Sequence, residues 1–221
     1  MTGQPGLFVT LEGGEGAGKS VQAEAVRERL QTAGYSVVVT REPGGTPLGE
    51  RLRAILLDLS SDRLQIGPLS ETLLFIAARA ELVATVIRPA LARGDVVVCD
   101  RFAGSTSAYQ GFGRGIDLAL IAKLNAAATD SLEPDLVVLL DLPPDEGLAR
   151  RASSDNDDRF GREDVAFHER VRAGYRALAA NDPGRWLVID ASQPREAITD
   201  IVWQRLEKEL SRRSPASQSE P

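Results

Sequence analysis

The sequence predicts an α/β protein, a five-stranded, mostly parallel sheet flanked by helices. Three observations carry this reading: five short β-branched apolar runs, longer helical patterns between them, and a glycine-rich loop directly after the first run. The strand candidates are LFVTLEG (7 to 13), SVVVT (36 to 40), DVVVCD (95 to 100), DLVVLLDL (135 to 142) and RWLVID (185 to 190). Helical patterns fall near 18 to 33, 47 to 58, 69 to 93, 104 to 130, 144 to 153, 163 to 180 and 194 to 211. Sheets of this kind gather ligands beyond the carboxyl ends of their strands, so the chemistry is expected on one rim.

With 221 residues, 43% hydrophobic and 26% charged, the chain suits a single domain with a core over 7 to 210. Lys+Arg at 26 against Asp+Glu at 32 gives a formal charge of -6, which offers no general attraction to nucleic acid. One cysteine, Cys99, rules out a disulfide framework within the chain and reads as a small buried hydrophobe. The start MTGQPGLFVTL lacks the pattern of a signal peptide, and no apolar stretch approaches the roughly 20 residues of a membrane span. The expectation is a cytoplasmic protein with no membrane role. The polar stretch SSDNDDRFGRED (153 to 164) interrupts two helical patterns and reads as a lid, taken as about 150 to 164. The end SRRSPASQSEP (211 to 221) has the composition of a disordered tail.

Gly13, Gly14, Glu15, Gly16, Ala17, Gly18, Lys19 and Ser20 fit G-x-x-x-x-G-K-[ST] between a strand run and a helical pattern. Glycines let successive N–H groups converge on phosphate oxygens, and the following helix adds its positive end. Lys19 offers a mobile charge and Ser20 a ligand for Mg²⁺, which makes the loop an ATP-binding candidate. No Asn-Lys-x-Asp or Thr-Lys-x-Asp guanine reader follows, so a switch GTPase falls behind, and the chain length suits small-molecule phosphoryl transfer.

TREPGGTPLGERLR (40 to 53) would place Arg41 on the active rim; a surface ion pair with Glu42 or Glu50 is the alternative. VVVCDRF ends the third run with Asp100 and Arg101. An Asp there can hold the water shell of Mg²⁺ and the guanidinium can bind phosphate, although the pair also fits a strand-end ion pair. Phe75 and Arg79, four apart, share a helical face; by residue type alone they read as a core ring and a solvated charge. The single His168, on a polar helical pattern, reads as a surface residue.

EGGEGAGKS, TREPGGTPLGERLR, LLFIAARAEL, DRFAGSTSAYQGFGRGID and IDASQP, in that order from about Leu7 to Leu210, resemble the thymidylate kinase family. The resemblance implies a P-loop nucleoside-monophosphate-kinase fold, transfer of the ATP γ-phosphoryl to dTMP with Mg²⁺, and a homodimer. It implies that Phe75 stacks on thymine, that Arg79 donates to a base carbonyl, and that Ser105 and Thr106 lie near the base edge. Tyr109 would lie under the sugar, where it would collide with a ribo hydroxyl. Arg41 and Arg101 would clamp the acceptor phosphate, and Glu15 would accept a hydrogen bond from the dTMP 3′-hydroxyl, with a solvent-facing role or a pair with a lid arginine as its alternatives.

Some members carry a charge-stabilising arginine in the phosphate loop; here the variable positions Gly14, Glu15, Gly16 and Ala17 hold none. The resemblance then places it in the lid, where Arg150, Arg151, Arg159 and Arg162 are available, Arg151 first and Arg159 second. The family's Asp-Arg-hydrophobic-Glu run ends here in Gly161. Two other readings stay in view: a kinase for a neighbouring nucleotide such as dUMP, and a nucleotide-binding regulator without transfer.

Overall fold

The computed structural model describes residues 6 to 58, 65 to 152 and 158 to 213. Five strands, β1 (Leu7–Glu12), β2 (Val37–Arg41), β3 (Val96–Asp100), β4 (Leu136–Asp141) and β5 (Trp186–Asp190), form one sheet in the order β2-β3-β1-β4-β5. Every pairing is parallel. All five coincide with the apolar runs to within a residue or two. Among the described residues no helix is long and apolar enough to cross a membrane.

Alternate side chains of the central strand go to opposite faces, and both faces are covered. Leu7, Val9 and Leu11 pack with Ala23, Val26 and Leu30 of α1 (Lys19–Thr32) and with Ile198, Val202 and Leu206 of α9 (Arg195–Arg213). Phe8 faces the other way, with Val97 and Cys99, toward Leu82, Val83 and Phe102. Cys99 is fully buried, as expected of a small hydrophobe.

Helices α2 (Pro47–Leu57) and α3 (Pro68–Leu82) follow β2, and each begins with proline at the first turn, where a missing N–H costs nothing. The pattern over 69 to 93 is continuous but widens to a π-turn at Val83–Ile87 before α4 (Arg88–Ala92). Pro89 explains the widening: it has no N–H and its ring crowds the carbonyl one turn earlier.

The single helix expected over 104 to 130 is instead divided. Ala103–Thr106 (α5) passes into a π-helical Ser107–Gly113, and the chain then turns at Gly115, φ 80°, before α6 (Leu118–Thr129) starts under an Asp117 cap that accepts from the Ala119 amide at 3.0 Å. Periodicity alone ran through this break, whereas the turn chemistry of GFGRGID encodes it.

Helices α7 (Pro144–Ala152) and α8 (Val165–Asn181) flank a turn at 158 to 164; of the lid expected over about 150 to 164, residues 150 to 152 form the end of α7 and 153 to 157 lie outside the described residues. The expected tail is helical through Arg213, and 214 to 221 also lie outside them. The surface position expected for His168 is corrected: it is 5% exposed, because α8 packs flat on the π-helical segment and the sheet.

The register decides where the chemistry meets. Leu11 pairs with Asp100 and Asp100 with Arg41, so three strand ends, with the loops that follow them, arrive side by side. The phosphate loop then lies against α7. A Cβ on Gly147 would overlap the Glu15 carbonyl oxygen, although the Gly147 backbone itself is unremarkable. Gly147→Ala is therefore expected to lower stability by about 1–3 kcal/mol through overpacking at this contact, read by denaturant unfolding.

Candidate active site

A cleft of about 590 Å³ opens at the carboxyl rim of the sheet, between the phosphate loop, the residues after β2, the second half of α2, α3, the helix after β3, the end of α7 and the 158 to 164 turn. Gly13, Gly16 and Gly18 take positive φ of 144°, 65° and 86°, the conformations that fold successive amides inward. Ala17 tucks beneath the loop, 3% exposed, while Gly14 has open space around its Cα.

Lys19 Nζ donates to the carbonyls of Gly14 at 2.7 Å and Gly13 at 3.2 Å, so the ammonium lies inside the loop it serves. Burial, reinforced by the nearby Arg101 charge, pushes its pKa down to about 8, against the pull of Asp100, Glu15 and Glu12. Ser20 Oγ donates to Asp100 Oδ2 at 2.5 Å, which brings the two residues expected at the metal into contact.

Arg101 is the busiest group. Its backbone takes φ 71°, and its Nη1 donates to the Gly13 carbonyl at 3.0 Å, to Tyr175 at 3.2 Å and to Ser105 at 3.3 Å. Its Nη2 donates to Glu15 Oε1 at 2.8 Å and to the Tyr109 hydroxyl at 3.2 Å, and its guanidinium lies 5.0 Å from the Tyr109 ring centre. Glu15 also accepts from Tyr109 at 2.7 Å and pairs with Arg151. The lid-arginine alternative for Glu15 is thus present in the structure. Burial alone would raise the Glu15 pKa, but Arg101, Lys19 and Arg151 together hold it down at about 2.

The other half of the cleft is built on arginine and aromatic groups. Arg41 lies at the rim, half-exposed, and pairs with Glu50 at 3.1 Å, so the rim position and the Glu50 ion pair both hold. Phe75 lines the cleft 5.8 Å from the Phe160 ring, and Tyr109 stands edge-on to Phe160 at 5.7 Å. Arg79 is not a solvated charge: it is 1% exposed, donating from Nε to Glu42 Oε2 at 2.9 Å and from Nη1 to Asn125 at 2.5 Å. Burial lifts Glu42 to about 7 despite that guanidinium. Ser105 donates to Glu12 at 2.6 Å, whereas Thr106, 1% exposed, lines the cleft with no hydrogen-bond partner for its hydroxyl among the described residues.

The two lid candidates separate. Arg151 lines the cleft between Glu15 and Asp158, with Asp158 Oδ2 2.6 Å from its Nη2. Arg159 turns away to Glu71, 2.6 Å, and does not line the cleft. Gly161 gains a physical account: a Cβ there would come within 2.7 Å of Arg151 Nε, so a glycine leaves the guanidinium its seat.

Three buried carboxylates, Glu12, Glu42 and Glu71, carry no role in the residue-by-residue reading of the sequence. Glu12 is 1% exposed and accepts from the Phe102 amide at 3.0 Å, from Ser105, and from Tyr175 at 3.2 Å; burial raises its pKa. Its signal was an acid ending an otherwise apolar strand run. Glu42 was weighed only as a neighbour of Arg41, and no local pattern points it at Arg79, 37 residues away.

A family model described as "Thymidylate kinase" matches residues 11 to 202. The thymidylate kinase of Deinococcus radiodurans is 50% identical over 198 residues, covering 90% of this chain and 95% of the relative. That of Thermomicrobium roseum is 52% identical over 211 residues, 94% and 99% of the two chains. The crystal structure of thymidylate kinase from Ehrlichia chaffeensis superposes with a TM-score of 0.73 at 35% identity, covering 91% of this chain and 98% of that one. The chain belongs to the thymidylate kinase family.

Proposed function

We propose that this chain transfers the γ-phosphoryl group of ATP to dTMP, giving dTDP and ADP, in dTTP biosynthesis. The observation that carries the reading is one cleft holding both halves of the chemistry: a phosphate loop with Lys19, and facing it Arg41, Arg101, Phe75 and Tyr109. A regulator without transfer would have no use for the second half. The unpartnered Thr106 hydroxyl, buried in the cleft, supports a polar ligand on that side.

The proposed roles follow from charge and reach. The loop amides and Lys19 hold the β- and γ-phosphates, and Arg101 with Arg41 holds the acceptor phosphate in line. An acceptor oxygen attacks the γ-phosphorus, the bridging P–O bond breaks, and its electrons pass to the ADP β-phosphate. The acceptor is already ionised, so little base chemistry is needed. Arg151, held beside the loop by Glu15 and Asp158, meets the charge that spreads over the equatorial oxygens. Thymine stacks on Phe75 with Arg79, Ser105 and Thr106 at its edges, the sugar lies over Tyr109, and Glu15 takes the 3′-hydroxyl.

Magnesium fits the donor set: the Ser20 hydroxyl and Asp100 carboxylate are hard oxygen ligands, and Mg²⁺ takes few protein ligands beside phosphate and water. Among the described residues no group of three or more His, Cys, Asp or Glu could cage a metal, in keeping with that mode. When bound, Mg²⁺ neutralises charge shared by the β- and γ-oxygens. We further propose a single kinase domain acting in the cytoplasm as a homodimer, for which the exposed Leu48, Ile55, Leu69, Leu73 and Leu118 supply apolar surface.

A coupled ADP-release assay across dTMP, dUMP, dCMP, AMP and GMP is expected to favour dTMP; preference for dUMP would support the neighbouring-nucleotide reading, and ATP binding without transfer the regulator. Arg151→Ala is expected to lower kcat roughly tenfold or more with a smaller change in the dTMP KM, since its contact is made mainly in the transition state. ATP binding near pH 8 is expected to take up about half a proton, because the Lys19 pKa of about 8 rises when phosphate replaces its carbonyl partners. The uptake should fade below pH 7, where Lys19 is already charged; calorimetry in buffers of different ionisation enthalpy reads it.

A further inference from the structure

Glu71 is a carboxylate with no part in the chemistry above, yet it is only 1% exposed on α3. A buried acid is costly unless paired, and here three side chains converge on it, two from the π-helical segment and its cap and one from the 158 to 164 turn. Gln110 Nε2 donates to Oε1 at 2.9 Å from the π-helical wall of the cleft. Arg114 donates to both oxygens, from Nε at 3.2 Å and from Nη2 at 3.4 Å. Arg159 of the 158 to 164 turn brings Nη2 to 2.6 Å of Oε2 as an ion pair without hydrogen-bond geometry. Arg114 also reaches the far end of that turn, with Nη2 2.6 Å from Glu163.

The turn docked in this way carries two groups that matter. Asp158, the residue before Arg159, grips Arg151, and Gly161 leaves the space in which the Arg151 side chain lies. Phe160, the residue after, is 5% exposed and closes the cleft against Phe75 and Tyr109, with the Arg159 guanidinium 4.9 Å from its ring centre. A second tie comes from the apolar cluster that Phe160 shares with Phe167, Val171 and Tyr175 of α8. That packing holds the turn to α8, whereas the Arg159–Glu71 pair, the Arg159 Nε bond to the Leu56 carbonyl of α2 at 3.2 Å and the Phe160 ring against Phe75 join it to the acceptor-side helices.

We propose that Glu71 is a positioning residue: by binding Arg159 and Arg114 it docks the 158 to 164 turn on the acceptor wall and thereby sets Phe160 over the acceptor and Arg151 beside the phosphate loop. Arg159, on this account, acts as the anchor of the turn and makes no contact with the transferring phosphoryl. The inference rests on the kinase reading for its effect on turnover, but the docking itself is a property of the unliganded protein.

The test uses the full chain with Glu71→Gln, Arg159→Met and the double variant. Hydrogen exchange in the unliganded protein reads the turn, whose Phe160 and Gly161 amides donate to Asp158 Oδ1 at 2.9 and 3.1 Å. Each single variant is expected to speed exchange at Phe160, Gly161 and Glu163 roughly fivefold or more, and to lower kcat about tenfold with a smaller change in the dTMP KM. The double variant should lose less than the sum of the two single losses, because both remove the Arg159–Glu71 contact while Glu71 also serves Arg114 and Arg159 also donates to the Leu56 carbonyl. Parental protection in Arg159→Met together with a lowered kcat would overturn the proposal and make Arg159 a phosphate ligand. Lost protection with parental kcat would also overturn the positioning role. Removing one partner of a buried ion pair can unfold a domain; if Glu71→Gln does not fold, Arg159→Met, at a partly exposed position, decides alone. If the parent itself transfers nothing to dTMP, the kinase reading fails while the exchange measurements still decide the docking.

Discussion

The arrangement of this site hangs on Arg101. A non-glycine residue at φ 71° is strained by about 1–3 kcal/mol, and the contacts of its side chain offset that strain. From the end of β3 the guanidinium reaches back over the first strand end to the Gly13 carbonyl, then to Glu15, Tyr109, Ser105 and Tyr175. One planar group thus ties the phosphate loop to the acceptor wall. Its fork geometry suits this, since several donors in one plane can serve several acceptors while the group remains charged.

Around that centre the charges alternate. Glu15 stands between Arg101 and Arg151, Asp158 beyond Arg151, and Glu71 between Arg159 and Arg114. Glu15 and Asp158 hold Arg101 and Arg151 in the cleft, whereas Glu71 holds Arg159 and Arg114 behind it. The arginines are therefore oriented before any substrate arrives, which limits the ordering that binding must impose. Glu15, a carboxylate within the phosphate loop, pairs with the two arginines beside it.

Much of the fold was legible because its signals are local. β-branched runs, prolines opening α2 and α3, and the glycines of the loop each act within a few residues, and the five strands fell where those runs lie. The failures were local too, but of a kind that periodicity hides. The break at Gly115 sits inside an otherwise helical pattern, and the π-turn before Pro89 keeps the chain helical while altering its pitch. In the site, Lys19, Ser20, Asp100, Arg101 and Tyr109 were readable from type and spacing, or from family motifs. Glu12, Glu42 and Glu71 were not, since an acid in a sequence is expected in water and only its partners, tens of residues distant, make burial tolerable.

By itself, then, the sequence determined the element types, the phosphate loop and the identity of the groups at the strand ends, because each depends on neighbours along the chain. The tertiary structure decided which of those groups meet. Parallel register set Leu11, Asp100 and Arg41 side by side. Packing of α8 on the sheet buried His168. Competition among carboxylates sent Arg151 to Glu15 and Arg159 to Glu71, although both arginines lie in one short basic and acidic stretch. Ion pairing is non-directional along a sequence and steep in space, so the choice between two nearby arginines is made only when the surfaces that carry their partners are folded together.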